Sequence, residues 1–208
     1  KGKQYVMGPD VNSGEREMDW FAKELKNKQA STGKSLKMGG LPHELGSTGF
    51  GVAHAAMVTM RLKGIDSKKA RVAIEGFGNV GSFAFKFLTE WGVNVVAIAD
   101  SRGAARREEG FSFNKIMAMR KQRKAISEYP GAKRMTRDQL FGMNVDVLIP
   151  STVTDVINES NKKLIKAPII VEGANIPMTE KIERELHKKG ILIVPDFVAN
   201  AGGVISSY

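Results

Sequence analysis

The stretch from Arg71 to Gly81, R-V-A-I-E-G-F-G-N-V-G, constrains the fold more than any other part of the chain. It begins with a short apolar run, Val72 to Ile74, which is too brief for a helix and rich in β-branched residues. Glycines then follow at the spacing G-x-G-x-x-G, at Gly76, Gly78 and Gly81. Apolar residues recur afterwards at helical intervals of three and four: Val80, Phe83, Ala84, Phe87, Leu88 and Trp91. The stretch therefore predicts a strand, a glycine turn and a helix.

Each of the three glycines has a distinct structural role in such a turn. Gly76 permits the tight turn, Gly78 lets a pyrophosphate approach the backbone, and Gly81 lets the helix pack close to the strand. The free N–H groups and the positive end of the helix dipole would face the phosphates.

The spacing alone fits an ordinary turn equally well, so its context decides. A second apolar run, Val93 to Ala99, leads to Asp100, about 20 residues beyond the glycines, where an acid suits the adenosine ribose hydroxyls. This context predicts a dinucleotide-binding unit. The expected contacts are Gly76, Phe77, Gly78, Asn79, Val80, Gly81 and Asp100.

Composition argues against several other classes of protein. The chain has no cysteine and its histidines lack partner carboxylates at ligand spacing, so we expect no metal site. Its apolar runs are strand-sized and its first residues lack a signal-peptide pattern, which favours a cytoplasmic protein without membrane contact. The net charge of +10 suits nucleic-acid binding, but the basic residues are dispersed along the chain and are not interleaved with aromatic residues. We therefore expect no nucleic-acid partner.

Helical patterns and short apolar runs alternate along the rest of the chain. Capping signals predict a helix that begins after Asn12 or Ser13, a second from Ser47 to Lys63, and a short one opened by a capping box at Thr136. A basic amphipathic helix is expected over residues 113–126. Further strands are expected at 145–149, 168–171 and 191–194, with a helix over 179–189. This alternation predicts an α/β fold: a Rossmann-like, doubly wound, mostly parallel sheet with helices on both faces.

Polar residues follow three of the predicted strands. They are Ser151 and Thr152, Glu172 to Asn175, and Asp196. Ligands of open α/β sheets bind outside the carboxyl ends of the strands, so Asn175 and Asn200 become candidates for recognition of the nicotinamide or its ribose. An asparagine beside glycine or alanine also caps turns, and the local pattern does not separate the two roles.

Several motifs stand together in chain order and carry a family resemblance. They are Gly8-Pro9-Asp10-Val11, Thr32-Gly33-Lys34, Thr48-Gly49-Phe50-Gly51, Gly76 to Gly81, Asp100-Ser101, Glu172-Gly173-Ala174-Asn175, and Pro195-Asp196 with Ala199-Asn200-Ala201-Gly202-Gly203. Over nearly its whole length the sequence resembles the glutamate dehydrogenases, within the wider amino-acid dehydrogenase superfamily. The resemblance implies that residues 1–40 are a remnant of a substrate domain with its linker. It implies that residues 41–208 are an NAD(P)-binding Rossmann-like domain, truncated at its C-terminus.

The resemblance assigns roles to individual residues. Asp10 matches the catalytic aspartate that moves protons while the imino acid forms and hydrolyses. Thr48 matches a threonine that bonds the nicotinamide carboxamide, and Asn175 and Asn200 match asparagines that contact the cofactor. Ser207 is similar to the serine that bonds the distal carboxylate of glutamate. At residues 41–46 many relatives carry an arginine that helps to hold the nicotinamide, whereas this chain has Glu44 near that place.

The implied reaction is the reversible oxidative deamination of L-glutamate to 2-oxoglutarate and ammonia, with hydride transfer to nicotinamide. The family's glycine-rich motif with the catalytic lysines would lie upstream of Lys1, so we expect this chain alone to bind the cofactor but to turn over substrate poorly or not at all. The family also implies a homo-oligomer, typically a hexamer.

Cofactor choice stays open at this point. Asp100 favours NAD, because it would repel a 2′-phosphate. Ser101, Arg102, Arg106 and Arg107 favour NADP if their side chains form a phosphate pocket, and are otherwise a solvated loop. We expect dual use with a slight leaning to NADP.

Two other functions fit parts of the sequence. A leucine, phenylalanine or valine dehydrogenase would share the same motifs but lack a polar anchor for a second carboxylate. A non-catalytic dinucleotide-binding module would need the glycine turn but not Asp10.

Overall fold

A computed structural model describes residues 5–9, 13–40 and 46–207. The chain divides into two compact units, one formed by Lys1–Ser47 with Gly202–Tyr208 and one by Thr48–Ala201. The domain limits expected from the sequence, 1–40 and 41–208, stay a prediction.

The first unit contains α1 (Glu15–Glu24), short 3₁₀ turns at Lys28–Ala30 and Leu36–Met38, and α8 (Gly202–Ser207). The N-cap of α1 is Gly14, not Asn12 or Ser13, and the Gly14 N–H donates to the Glu17 carboxylate at 2.9 Å. The acid in the first turn therefore supplies the capping interaction from inside the helix.

A seven-stranded sheet forms the centre of the second unit. In chain order its strands are β1 (Arg71–Glu75), β2 (Asn94–Asp100), β3 (Gly103–Arg106), β4 (Lys133–Met135), β5 (Val147–Pro150), β6 (Ile169–Val171) and β7 (Leu192–Val194). Their order across the sheet is β4-β3-β2-β1-β5-β6-β7. All neighbouring pairs are parallel except β2–β3 and β3–β4, so β3 alone runs against the others.

Helices lie along the sheet and bury its faces in two apolar cores. They are α2 (Ser47–Leu62), α3 (Asn79–Glu90), α4 (Phe113–Lys121), α5 (Arg137–Phe141), α6 (Glu180–Lys188) and α7 (Asp196–Ala199). Because strand side chains alternate, Val72 and Ile74 join the core with α2, α3 and α4, while Ala73 joins the core with α5 and α6. The expected α/β, Rossmann-like, mostly parallel fold is confirmed.

Two features of the fold differ from expectation. Strands β3 and β4 have no sequence signal, because G-A-A-R and K-R-M contain neither a β-branched residue nor an aromatic one. The predicted helix over residues 113–126 ends at Lys121, and Arg123 takes a left-handed conformation with φ of 58° that stops it.

Candidate cofactor-binding site

The glycine turn after β1 has a backbone that only glycine fits at two of its three positions. Gly76 has φ of +111°, and a Cβ there would lie 2.6 Å from the Thr152 methyl carbon. A Cβ on Gly81 would lie 2.0 Å from the carbonyl oxygen of Gly76, so α3 crosses close over the turn. A Cβ on Gly78 would meet nothing within 4 Å. Gly76 and Gly81 are therefore needed by the fold, whereas Gly78 leaves space for a ligand.

The beginning of α3 has the features of an anion site. Gly78 is its N-cap, with no side-chain cap, and no acid stands in its first turn. The first N–H groups of the helix are thus left to a ligand, and the helix dipole favours a negative one. Within the described residues the Oδ1 atom of Asn79 is buried and receives no hydrogen bond. A hydroxyl or amide of a ligand could donate the missing hydrogen bond. These features fit a dinucleotide.

Ser151, at the end of β5, holds the turn in place. Its N–H donates to the Glu75 carbonyl at 2.7 Å, and its hydroxyl lies 3.1 Å and 3.2 Å from the carbonyl oxygens of Glu75 and Gly76. The same hydroxyl would lie 2.6 Å from a Cβ on Gly81. The sequence placed this serine after a strand, but its contact with the turn depends on β1 and β5 being neighbours.

A cavity of about 500 Å³ opens beside the turn and brings predicted residues together. Its lining includes Phe77, Gly78, Asp100, Ser101 and Arg102, and adds Arg120, Arg137 and Thr152, which were not predicted as site residues.

Hydrogen bonds fix Asp100, the last residue of β2, and Arg102, in the turn that follows it. The two carboxylate oxygens of Asp100 accept the N–H groups of Arg102 at 2.8 Å and Ile126 at 3.0 Å. The guanidinium of Arg102 donates to the carbonyl oxygens of Arg123 and Lys124. The carboxylate keeps further acceptor sites, but its orientation is fixed by the protein rather than by a ligand.

Two further arginines reach the cavity from distant parts of the chain. Arg120, on α4, donates to the carbonyl oxygen of Phe77 at 3.1 Å and lies 5.6 Å from the centre of its ring. Arg137, the first residue of α5, has its Nε 3.0 Å from the buried Glu75 carboxylate. Neither contact has a local sequence signal, since helix periodicity identifies only which face is buried.

Glu75, the last residue of β1, carries a buried carboxyl beside the cavity. Burial raises its pKa, while the Thr152 hydroxyl, which donates at 2.7 Å, and the charge of Arg137 oppose that rise. The Arg137 contact is ionic rather than a hydrogen bond, because the carboxylate oxygen it approaches receives no directed N–H.

The structure separates the arginines that were candidates for a phosphate pocket. Arg106 does not line this cavity but a separate one, and Arg107 donates to the carbonyl of Gly110 and approaches Glu109. The reason is β3, which runs antiparallel to β2 and carries the chain from Gly103 back to the opposite edge of the sheet. Only Ser101 and Arg102 of that set stay beside the turn.

Asn175 and Asn200 meet across the ends of β6 and β7. The Asn200 amide donates to the Asn175 side-chain oxygen at 2.7 Å. Glu172, at the end of β6, is only 4% exposed and accepts the Asp196 N–H at 2.9 Å. Burial raises the pKa of Glu172 to about 7, opposed by that hydrogen bond and reinforced by the nearby Glu183 and Asp196 carboxylates.

The remaining predicted residues are placed less fully. Thr48 lies in the first turn of α2, next to Gly49, where a Cβ would come within 2.5 Å of Phe83 on α3. Thr48 is thus near the start of α3. Asp10 and Glu44 lie outside the described residues, and Ser207 ends α8 with its side chain outside them.

The requirements for a metal-binding cluster and for a membrane-spanning helix are not met by the described residues. No group of three or more histidine or acidic side chains there has metal-binding geometry. Within residues 5–9, 13–40 and 46–207, no helix is long and apolar enough to cross a bilayer.

Comparison with known families decides the relationship. The family model described as Glutamate/Leucine/Phenylalanine/Valine dehydrogenase matches residues 39–208. The chain belongs to this family.

Named relatives of the dehydrogenase family match nearly the whole chain. A glutamate dehydrogenase of Thermotoga maritima is 39% identical over 98% of the chain and 50% of its own length. An NADP-specific glutamate dehydrogenase of Saccharolobus shibatae is 37% identical over 98% of the chain and 49% of its own length. An NAD-specific glutamate dehydrogenase of Peptoniphilus asaccharolyticus is 33% identical over 98% of the chain and 51% of its own length. The chain thus spans about half the length of these curated relatives.

A solved structure supports the same relationship at the level of the fold. The hetero-hexameric glutamate dehydrogenase of Thermus thermophilus, in a leucine-bound form, superposes with a TM-score of 0.86 at 25% identity. The match covers 98% of this chain and 49% of that one. The family uses NAD or NADP, and its members named above include both NAD-specific and NADP-specific enzymes.

Proposed function

We propose that the chain is the cofactor-binding part of an NAD(P)-dependent glutamate dehydrogenase. The overall reaction converts L-glutamate, oxidised cofactor and water into 2-oxoglutarate, ammonium, reduced cofactor and a proton. The observation that carries the proposal is the glycine turn. Gly76 and Gly81 are fixed by the fold, whereas Gly78 faces open space at an uncapped helix start. Membership of the dehydrogenase family supports the reaction.

In this proposal different residues bind the pyrophosphate and the nicotinamide end of the cofactor. When bound, nicotinamide supplies the hydride acceptor. The turn from Gly76 to Gly81 and the first N–H groups of α3 hold the pyrophosphate. Thr48 and the linked side chains of Asn175 and Asn200 orient the nicotinamide end, and a fixed orientation is what makes hydride transfer efficient.

Other residues act on the amino acid in this proposal. Asp10 moves the protons and Ser207 binds the distal carboxylate of glutamate, as the family resemblance implies. A leucine, phenylalanine or valine dehydrogenase is the alternative, because the family model covers all four activities. An assay of reduced-cofactor formation with each of the four amino acids separates them. Activity with an apolar amino acid above that with glutamate would favour the alternative.

The cofactor preference we propose is dual use with a slight leaning to NADP. Three arginines line the cavity beside the turn, Arg102, Arg120 and Arg137, against the lining acid Asp100 and the Glu75 carboxyl that Arg137 approaches. Guanidinium groups suit a phosphate, and a cavity with net positive charge accommodates the extra 2′-phosphate. We propose a homo-oligomer, a hexamer, as the working assembly; the hetero-hexameric relative supports the number of subunits, and the homo-oligomeric form rests on the family resemblance. A cytoplasmic location stays a prediction.

The test of the glycine turn is a fluorescence titration with NADH and NADPH. In a Gly78→Ala variant the new methyl meets no protein atom, so we expect the free energy of unfolding to change by less than about 1 kcal/mol. Affinity for both cofactors should fall by about tenfold or more, because the methyl occupies the space of the pyrophosphate. The matched control is Gly14→Ala, since Gly14 is also an N-cap glycine with room for a Cβ. Unchanged cofactor affinity in Gly78→Ala would contradict the proposed cradle.

The same titration tests the cofactor preference. Arg102→Gln should weaken NADPH binding by about tenfold and NADH binding by less than about threefold, because only NADPH carries the 2′-phosphate. Arg107→Gln is the control with the same loss of charge, at a residue that does not line the cavity. Equal effects of Arg102→Gln on both cofactors would remove the leaning to NADP.

A further inference from the structure

A second basic cavity lies at the opposite edge of the sheet from the glycine turn. Its volume is about 490 Å³, within the range of small-molecule sites. It is lined from the first residue of β1 (Arg71), the last of β3 (Arg106) and the first of β4 (Lys133). Since the turn follows the last residue of β1, the length of that strand, roughly 13 Å, separates the two places.

Arg106 and Lys133 form an unfavourable pair within this cavity. They are directly opposite each other in the antiparallel β3–β4 ladder, so their side chains project from the same face of the sheet. Like charges in that arrangement destabilise a sheet. Both side chains are exposed, and neither has an ion pair or a hydrogen bond with any residue that the structure describes. An anion bound between them would remove the repulsion.

Arg71 extends the positive charge across the sheet. Its guanidinium donates to the carbonyl of Asn144 and to the exposed Glu108 carboxylate at 2.7 Å, and its N–H donates to Asp146 at 2.7 Å. Arg71 is therefore fixed in position and already partly neutralised. The two cations without a partner are the ones that most need a ligand.

The spacing of the cations suits an extended anion. Lys133 and Arg71 lie on strands three places apart in the sheet, or about 14 Å at the usual strand spacing. A single phosphate or carboxylate bridges only the adjacent Arg106 and Lys133, whereas a chain of phosphoryl groups also extends towards Arg71. Met135 and Met143 add apolar side chains to the lining, and Gln139 adds an amide.

We propose that this cavity binds a polyphosphate chain, either inorganic or carried by a nucleotide. The guanidinium of Arg106 provides bidentate contacts to phosphoryl oxygens, Lys133 adds a point charge, and Arg71 adds longer-range attraction. The site is separate from the cofactor turn and does not depend on the proposed dehydrogenase activity.

The test is isothermal titration calorimetry of the chain with inorganic tripolyphosphate in about 100 mM NaCl, where charges more than about 10 Å apart are largely screened. The double variant Arg106→Gln with Lys133→Gln should weaken binding by about tenfold or more. It should fold at least as well as the parent chain, because it removes a like-charge pair, and thermal unfolding checks this. The control is Lys163→Gln with Lys166→Gln, which removes the same charge from exposed positions outside the cavity. It should change affinity by less than about twofold.

Further arms identify the ligand. If adenosine triphosphate binds more tightly than tripolyphosphate, and the cavity variant loses this difference, the ligand is a nucleotide. Equal affinities indicate that the phosphate chain suffices.

Four results would overturn the proposal. The first is an equal loss of tripolyphosphate affinity in the cavity variant and in the control double variant. The second is loss of tripolyphosphate binding in Gly78→Ala but not in the cavity variant. The others are equal affinity for citrate, and duplex DNA binding more tightly than tripolyphosphate through the same two residues.

Discussion

Two buried glutamates at the carboxyl ends of β1 and β6, which are separated in the sheet by β5, have opposite surroundings. Glu75 ends β1 and receives the Thr152 hydroxyl and the charge of Arg137. Glu172 follows β6 and, among the described residues, receives one hydrogen bond, from a backbone N–H, with the carboxylates of Glu183 and Asp196 nearby. Burial raises the pKa of both, because it penalises the charged form.

The difference between the two residues shows that the groups around a buried acid decide how far burial raises its pKa. For Glu75 a hydroxyl and a cation counteract desolvation, so the carboxylate form has specific support. For Glu172 the neighbouring acids add to desolvation, and its pKa reaches about 7. Glu172 therefore changes charge near neutral pH beside the Asn175–Asn200 pair, while Glu75 has partners built for its ionised form.

The largest expected effect comes from removing the charge of Glu172. The pKa of Glu172 in the folded state, about 7, lies above its ordinary value of 4.5. Between pH 4.5 and 7 the folded state therefore keeps a proton on Glu172 that the unfolded state has lost. Stability contributed by this group is fully present below pH 4.5 and is lost as the pH rises to about 7. In Glu172→Gln we expect no change at pH 4.5 and a gain of about 2–3 kcal/mol in the free energy of unfolding at pH 8.5.

Urea unfolding of Glu172→Gln at a series of pH values measures this gain. The amide oxygen of glutamine still accepts the Asp196 N–H, so the hydrogen bond is kept. Glu24→Gln, at an exposed position on α1, is the control with the same change of charge. A difference between variant and parent that does not change with pH would contradict the assigned pKa.

A smaller effect is expected from Thr152→Val, which removes the hydroxyl that donates to Glu75 but keeps the shape of the residue 152 side chain. A hydrogen bond to a charged group contributes about 1.5–3 kcal/mol, so we expect a loss of about 1.5 kcal/mol at pH 8. The loss should shrink at low pH, where Glu75 is protonated. Thr154→Val is the control in the same loop, because the Thr154 hydroxyl donates to the exposed Asn175 carbonyl. Equal losses in the two variants would mean that Glu75 does not depend on the hydroxyl.

The two glutamates also mark the limit of what the sequence predicts. The glycine turn was predictable because its main constraints lie within the motif: Gly76 needs a positive φ, and Gly81, within α3, must have no Cβ so that the helix can pass close to the Gly76 carbonyl. The mostly parallel sheet was predictable because apolar runs alternate with helical patterns. The β3–β4 edge was not, because strands with G-A-A-R and K-R-M are defined by pairing rather than by propensity.

The arginines show why the site was only partly predictable. Proximity to Asp100 in the sequence suggested Arg106 and Arg107, yet β3 carries both away from the turn. Arg120 and Arg137 reach Phe77 and Glu75 instead, across long stretches of sequence. Such contacts depend on which helix packs over which strand end, and periodicity alone does not determine that.

The smallest expected effect concerns the ion pair between Arg137 and Glu75. The Arg137 side chain is 44% exposed, so solvent screens its charge, and we expect Arg137→Ala to cost only about 0.5–1 kcal/mol at pH 8. A double-mutant cycle with Glu75→Gln isolates the pair, since the loss should vanish when Glu75 carries no charge. Arg184→Ala, which removes an exposed partner of Glu180, is the control for the loss of a surface arginine. If Arg137→Ala cost as much in the Glu75→Gln background, Arg137 would stabilise the fold through packing of its stem. The Thr152 hydroxyl would then be the one polar side-chain contact, among the residues that the structure describes, that favours the ionised form of Glu75.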